Sequence, residues 1–357
     1  MGTQSIPPFT VISGATVHDV LAGRQQELTD LVEQAYLLHG SGETTNPPSY
    51  FLRFPDKPSS RIIALPAAVR GDVRVDGIKW VSSYPENIEH GIPRASAVLL
   101  LNDAATGYPY ACLEGSIISA VRTAASAAVA VRHLARGRAP LTNVGFFGAG
   151  LIARYLHEYL AALGPAFDRI GVHDLSEDYA RGFADHVEQT SPGSSVRVHG
   201  SARDLVSSYD MVVFATTAAS PHVTDPSWFS HNPLVLHVSL RDLSPEVVLA
   251  STNVVDDVEH VLKADTSVHL AEQRTGRRDF VHATLPEVIS GRFRPESGRP
   301  VVFSPFGLGV LDLVVGDYVH RRAAEDGGAT TVEDFFYDTE RHRRPDRVRA
   351  ARNGGAL

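Results

Sequence analysis

Three small residues, Gly148, Gly150 and Ala153, follow the apolar stretch "NVGFF" in a G-x-G-x-x-A arrangement. This spacing suits a dinucleotide. Gly148 permits a tight turn, Gly150 lets the main chain approach a diphosphate, and Ala153 allows a helix to pack closely on the preceding strand. The opening amides of that helix, at Leu151 and Ile152, have no partner within it and are free to receive an anion. A glycine-rich turn alone often does no more than reverse the chain. Here, however, about two dozen residues later, "RIGVHD" ends in Asp174, where a carboxylate accepts hydrogen bonds from an adenosine ribose. Leu175 and Ser176 come next, without the arginine that would favour a 2′-phosphate, so the expected cofactor is NAD.

A second group of residues has the chemistry to hold and transform a substrate. Arg122 lies inside "ISAVRTAASAAVAV", which has no other charge, and a buried guanidinium must meet a carboxylate, a phosphate or several carbonyls. Pairing with an internal acid is the competing explanation. Lys79 in "GIKWVSSYP" and Arg53 in "SYFLRFP" sit on apolar strands whose side chains alternate between faces; taken singly, each reads more readily as a solvent-facing residue. Asp242 in "VLHVSLRDLSPE" follows an apolar strand, where a carboxylate can accept a proton or activate water. Its alternative role is to cap a helix starting near Pro245, a position that Ser244 fits better. Thr216 and Thr217 in "FATTAASP" end another strand at the edge where open α/β sheets bind ligands, or simply cap the next turn. His157-Glu158 lacks the second histidine of a metal-binding helix, Cys112 is the single cysteine, and no G-x-S-x-G turn occurs, so neither a metal nor a serine nucleophile is expected.

These residues need elements to position them. The stretch "LTDLVEQAYLLH" repeats its apolar residues at helical spacing and ends near Gly40 as the first expected helix. Between Tyr50 and Leu101, "SYFLRF", "RIIALPAAV", "VDGIKWVSSY" and "ASAVLLLN" read as antiparallel strands broken by Pro, Gly and Asp. A turn and strand in "NDAATGYPYACLE" lead into the alanine-rich helix, which runs to about His133, and the polar break "ARGRAPLTN" marks a lobe boundary. Beyond it, "NVGFFG", "RIGVHD", "VRVHG", "DMVVFATT", "PLVLHVSL" and "TNVVDD" alternate with helical segments. That pattern predicts an α/β lobe with a parallel sheet covered on both faces. A last helix, "GLGVLDLVVGDYVHRRAAE", follows, and residues 341–357 ("RHRRPDRVRAARNGGAL") lack apolar periodicity and read as a disordered tail.

The chain's 357 residues, 43% of them apolar, suit two lobes. A formal net charge of −8 argues against a general affinity for nucleic-acid backbones or anionic membranes, leaving small molecules and further copies of the chain as expected partners. One cysteine forms no internal disulfide, and "MGTQSIPPFT" has neither the charged nor the apolar region of a secretory signal, so a cytoplasmic location is expected. The most apolar long run, Ser116 to Leu134, is interrupted by Arg122 and suits a buried helix better than a membrane span.

Taken together, "KWVSSYP", "NDAATGYPYACLEGSIISAVRTAASA", "GFFGAGLIAR" and "FATT" resemble the ornithine cyclodeaminase and μ-crystallin family over nearly the whole chain apart from the tail. The specific part is "TGYP" followed by "RTAA". This resemblance implies a homodimer built on an α+β substrate-binding and dimerisation lobe, residues 1–137 completed by 306–335. A Rossmann NAD-binding lobe, residues 138–305, is inserted between them. It implies that Arg53, Lys79 and Arg122 contact the substrate carboxylate, that Thr123 lies with the glycine turn, Thr216 and Thr217 on the cofactor side, and that Asp242, with Lys79, serves the chemistry near the nicotinamide.

Around Asp242 the chain departs from ornithine-cyclising members, which carry a glycine-rich "GGD". Instead "HVSLRDLSPE" and "SPFGLGVLDL" are similar to a branch of N-(2-amino-2-carboxyethyl)-L-glutamate dehydrogenases that serve siderophore and peptide-antibiotic pathways. Such an enzyme oxidises the glutamate Cα–N bond with NAD, and water then releases 2-oxoglutarate and L-2,3-diaminopropionate. Two other outcomes fit the same resemblance: an ornithine cyclodeaminase or other amino-acid or imine oxidoreductase, and a μ-crystallin-like ligand-binding protein with little catalysis.

Overall fold

The structure is a computed structural model that describes residues 6–164 and 166–336; the expected tail, residues 341–357, lies outside the described residues. The chain opens with β1 (Phe9–Ile12), α1 (Gly14–Leu21) and α2 (Gln25–Gly40). The strands β2 (Thr44–Thr45), β3 (Tyr50–Phe54), β4 (Lys57–Val69), β5 (Val75–Ser83), β6 (Ala95–Asp103) and β7 (Pro109–Glu114) follow, and then α3 (Ser116–Leu134). The expected helix ending near Gly40 is therefore the second, because the short α1 precedes it. Ser13 starts α1 by accepting a hydrogen bond from the Thr16 amide, and Val17, Val20 and Leu21 bury its inner face.

The sequence order then becomes β8 (Asn143–Phe147), α4 (Leu151–Leu163), β9 (Arg169–His173), α5 (Glu177–Thr190), β10 (Ser195–Val198), α6 (Ala202–Val206), β11 (Met211–Phe214) and β12 (Leu234–His237). After these come α7 (Pro245–Leu249), β13 (Thr252–Val255), α8 (Val258–Val261), α9 (Ser267–Thr275), β14 (Val281–Thr284), α10 (Leu285–Ile289) and β15 (Val301–Ser304). The long α11 (Gly309–Glu325) and β16 (Thr330–Val332) close the described chain.

Two sheets result. The first runs β16-β1-β7-β6-β5-β4-β2, with β3 also paired to β4. Its central ladders are antiparallel, as expected, whereas β1 lies parallel to β7 and antiparallel to β16. The second runs β10-β9-β8-β11-β12-β15-β13-β14, every ladder parallel. Its core strands, such as Val144 to Phe147 and Met211 to Phe214, are buried on both faces and so read as continuous apolar runs. The chain leaves β8 towards β9 and β10 on one side, then crosses to β11 on the other. A switch point therefore opens between β8 and β11 at their carboxyl ends.

α3 and α11 bind the two halves together. α3 packs on α2, α4 and α11, and its buried alanines, Ala124, Ala125, Ala127, Ala128 and Ala130, keep those approaches close. By length and composition α3 could cross a membrane, but most of it is buried inside the protein. α11 crosses back onto the first sheet, where Gly316 lies so near Leu99 that any side chain would collide with it.

Candidate active site

The carboxyl edge of the parallel sheet carries the residues with chemical potential. At the β8 turn, Gly148 has φ +93°, and a Cβ there would meet the Ala215 carbonyl oxygen at 2.6 Å, so only glycine fits. A Cβ on Gly150 would instead project into open space, and no side chain caps α4, whose first amides face outward from this turn. Asp174 closes the corner. Its Oδ2 accepts the Ala149 amide at 2.9 Å and its Oδ1 the Ser176 amide at 2.8 Å, while Leu175 beside it is fully exposed. This arrangement suits a diphosphate on the helix amides and ribose hydroxyls near the carboxylate.

Two strands along, Asp242 lies fully buried in a shell of donors. Thr216 Oγ1 and His222 Nε2 (3.0 Å) meet its Oδ1, and Ser239 Oγ and His237 Nε2 (3.2 Å) meet its Oδ2. His237 ends β12, and its other ring nitrogen lies 3.2 Å from Ser304 Oγ at the end of β15. Burial alone would raise the Asp242 pKa, but hydrogen bonds from His222, His237 and Ser239 outweigh it and hold the carboxyl well below the usual range. Asp242 is thus a fixed anion, and Ser244, not Asp242, is the N-cap of α7. Thr216 also accepts the Ala218 amide at 3.1 Å and so braces the turn, as the capping alternative expected. His222 is the most exposed member of this group, with 35% of its side chain accessible, and its ring lies 5.1 Å from that of Phe147, just before the glycine turn.

The facing group of residues comes from β5 of the first sheet, α3 and α11. Lys79 Nζ, only 2% of whose residue is exposed, lies 2.7 Å from Asp312 Oδ2, and Arg122 Nε lies 3.2 Å from Asp312 Oδ1. Ser119 Oγ accepts from both cations, at 3.2 and 3.4 Å. One carboxylate between two cations leaves a net charge of +1. Burial pushes the Lys79 ammonium down to about 8, with the Asp312 charge opposing that fall and the Arg122 charge adding to it. The Arg122 guanidinium lies against Gly307, whose amide donates to the buried Asp256 at 2.6 Å. Gly307 follows β15 closely, so Arg122 stands at the edge that holds Ser304, His237 and Asp242.

The fold gathers some expected residues and separates others. Lys79 and Arg122 meet, through an acid that the sequence reading did not single out. Arg53 does not join them: it is opposite Arg61, which is opposite Ser83, four residues along β5 from Lys79 and about 13 Å away at the usual strand rise. Thr123 bonds back to the Ser119 carbonyl at 2.7 Å within α3, and Thr217 is exposed with no hydrogen bond among the described residues. His222, His237, Ser239 and Asp312 were missed. Asp312 was findable, since a lone acid in "GVLDLVVG" raises the same question as a lone arginine in α3.

The model of the ornithine cyclodeaminase/mu-crystallin family matches residues 14–327. The chain belongs to this family. Among curated relatives it is 27% identical over 316 residues to the N-((2S)-2-amino-2-carboxyethyl)-L-glutamate dehydrogenase of Staphylococcus aureus, covering 86% of this chain and 93% of that one. Among solved structures, the Thermococcus litoralis Delta(1)-pyrroline-2-carboxylate reductase in complex with NADH and L-proline superposes with a TM-score of 0.83 at 28% identity, over 91% of this chain and 100% of that one. An archaeal alanine dehydrogenase dimer with bound NAD gives 0.81 at 26% identity, over 92% and 99%. The α/β fold with a dinucleotide-binding lobe is thereby shown.

Proposed function

We propose that this member of the family oxidises N-(2-amino-2-carboxyethyl)-L-glutamate at the glutamate Cα–N bond, yielding L-2,3-diaminopropionate and 2-oxoglutarate. At the coarser level the chain is an NAD-dependent oxidoreductase, in keeping with its dehydrogenase and reductase relatives. The observation that carries the finer reading is the Lys79–Asp312–Arg122 group, a buried site with one surplus positive charge facing a cofactor crevice. It suits the carboxylate beside a carbon undergoing oxidation. Similarity to the staphylococcal dehydrogenase supports the choice of substrate.

NAD, when bound, supplies the hydride acceptor. Gly148, Gly150 and the first α4 amides, at Leu151 and Ile152, would hold its diphosphate, and Asp174 its adenosine ribose. Lys79 and Arg122 fix the substrate α-carboxylate and so the orientation of its Cα. Asp242 is too strongly ionised to serve as the proton acceptor near neutral pH; it suits instead the steadying of a positive charge on His222. His222, partly exposed beside the glycine turn, takes the proton released from the substrate nitrogen and helps deliver water to the resulting imine. Thr216 and Ser239 keep the Asp242 carboxylate in place. The balance is one conjugate, one NAD and one water giving 2-oxoglutarate, diaminopropionate, NADH and a proton.

A homodimer completes the proposal. Trp80 pairs with Ala64 and Val98 in the ladder, Tyr50 pairs with Ala64 beyond them, and Tyr50, Leu52, Trp80 and Val98 are all exposed on the outer face of the first sheet. Such an apolar face suits a second copy of the chain. The deciding assay incubates purified protein with NAD and the conjugate and measures NADH and 2-oxoglutarate together. Both should appear in equal amounts; no NADH with the conjugate, but ammonia from ornithine, would replace this reading with a cyclodeaminase.

A further inference from the structure

A second set of cations lies further along the same face of the first sheet. Arg53 and Arg61 are direct cross-strand partners on β3 and β4, and Arg61 is the direct partner of Ser83 on β5. Directly opposed residues share a face, as do Lys79, Val81 and Ser83 along β5, so Arg53 and Arg61 share the face that carries Lys79. Arg94, immediately before β6, donates through Nη1 to Ser83 Oγ at 2.9 Å. Arg61 and Arg94 thus flank one buried serine, with Arg53 one strand further out.

A fourth arrives from the other sheet. Arg241, next to Asp242, is anchored by Nε and Nη2 on the Ala264 carbonyl at 3.2 and 2.8 Å, beyond a left-handed backbone turn at Leu240 (φ +71°). Burial lowers the proton affinity of Arg61, and the nearby charges of Arg241, Arg94 and Arg53 lower it further; burial likewise lowers that of Arg241, with Arg53 adding to the fall. Arg61, Arg94 and Arg241 are all half-buried. Among the described residues none of the four has an ion-pair partner. The two carboxylates that act on Arg241 are engaged elsewhere: Asp242 by its four donors, Asp265 by His269 at 3.7 Å and Gln273 at 3.2 Å. Three half-buried cations and the exposed Arg53, clustered without counterions, are costly unless an anion joins them.

We infer that Arg53, Arg61, Arg94 and Arg241 form a second carboxylate subsite spanning the cleft, which holds a substrate carboxylate remote from the reacting carbon and selects polycarboxylate amino acids over monocarboxylate ones. The inference rests on the proposed function, because it assigns the reacting end to Lys79 and Arg122. The dimensions agree. The backbone rows of Lys79 and Ser83 are about 13 Å apart, and in an extended conjugate the carboxyl carbon on the reacting centre lies about 5–6 Å from either of the other two, a gap that the long lysine and arginine side chains close. Arginine suits this task because its planar fork grips a carboxylate bidentately without a precise approach by the rest of the ligand.

The test uses the NAD-loaded protein and two probes, 2-oxoglutarate with two carboxylates and pyruvate with one, titrated by calorimetry against wild type, Arg61→Gln, Arg241→Gln and the double variant. Each substitution should weaken 2-oxoglutarate roughly 10- to 100-fold while changing pyruvate less than about twofold, as loss of a charge-assisted contact to the remote carboxylate requires. Arg61→Lys, which keeps the charge, should recover part of the loss and guards against misreading a folding defect. Unchanged 2-oxoglutarate binding in the double variant overturns the subsite, as does an equal loss for both probes. Turnover separates the two ideas. If the wild type oxidises the conjugate and the variants keep its KM, the subsite falls and the function stands. If the wild type is inert towards the conjugate yet the variants lose 2-oxoglutarate selectively, the substrate assignment falls and the subsite stands.

Discussion

Replacing Asp312 by Asn tests the inner cation site most severely, because one carboxylate supports two buried positive charges. In the native protein the Asp312 charge opposes the burial that lowers the Lys79 ammonium to about 8. Two unit charges about 4 Å apart, at an effective dielectric near 20, attract by about 4 kcal/mol. Removing that attraction lowers the proton affinity of Lys79 roughly a thousandfold, at 1.36 kcal/mol per tenfold. Lys79 then loses its proton well below pH 7, leaving Arg122 as the one buried cation. If protonated Lys79 holds the substrate carboxylate, wild-type kcat/KM falls above pH 8, and the variant is down roughly a hundredfold at pH 7. The diagnostic feature is the ratio of variant to wild type, which should climb about tenfold for each pH unit of acidification as Lys79 regains its proton. Initial rates of NADH formation between pH 5.5 and 9.5, about the span over which Lys79 changes charge in the two proteins, supply the data; thermal melts check the fold. A ratio independent of pH, or a variant with wild-type activity at pH 7, refutes the reasoning.

Asp242→Asn keeps the shape of the carboxylate but removes the charge opposite His222, and kcat for 2-oxoglutarate release should fall at least about a hundredfold with NAD affinity unchanged. Full turnover would remove Asp242 from the mechanism. Gly148→Ala must drive a methyl group into the Ala215 carbonyl from a left-handed backbone, which should lower stability by about 1–3 kcal/mol and NAD affinity with it, as read by thermal melts and fluorescence titration. Trp80→Glu puts a charge on the exposed apolar face of the first sheet and should shift the protein from dimer to monomer in analytical ultracentrifugation; an unchanged sedimentation coefficient would place the interface elsewhere.

Much of the architecture was legible because its signals are local. Continuous apolar runs in β8, β11 and β12 and helical spacing in α2 and α3 depend on neighbours within a few residues. The two-residue β2 and the four-residue β14 and β15 are too short to set a period, and no local rule says that β15 lies between β12 and β13. The glycine turn and Asp174 were legible for the same local reason: one βα unit contains them. The position of Arg53, on the same face as Lys79 but further along the sheet, was not legible for the opposite reason. Its distance from Lys79 is set by the ladder register across two strands, which composition does not reveal. The shell around Asp242 was equally hidden, since Thr216, His222, His237 and Ser239 come from the ends of two strands and the loops that follow them.

The protonation of Lys79 links stability to ligand binding. Its ordinary value is 10.5 and its folded value is about 8, so below pH 8 both folded and unfolded chains carry the proton and the folded state bears the full penalty. At 1.36 kcal/mol for each tenfold change in affinity, that penalty is about 3 kcal/mol. It shrinks as pH rises from 8 towards 10.5, where the folded chain has lost the proton and the unfolded chain still holds it, so this group makes the protein more stable with rising pH. A bound carboxylate acts in the other direction on the same proton, raising the folded value towards its ordinary one and relieving the penalty without deprotonation. Carboxylate ligands should therefore stabilise the protein more at pH 7 than at pH 9.5, a pH about midway between the two Lys79 values, in thermal melts with and without 2-oxoglutarate. An arginine in place of Lys79 would stay charged throughout and abolish that difference.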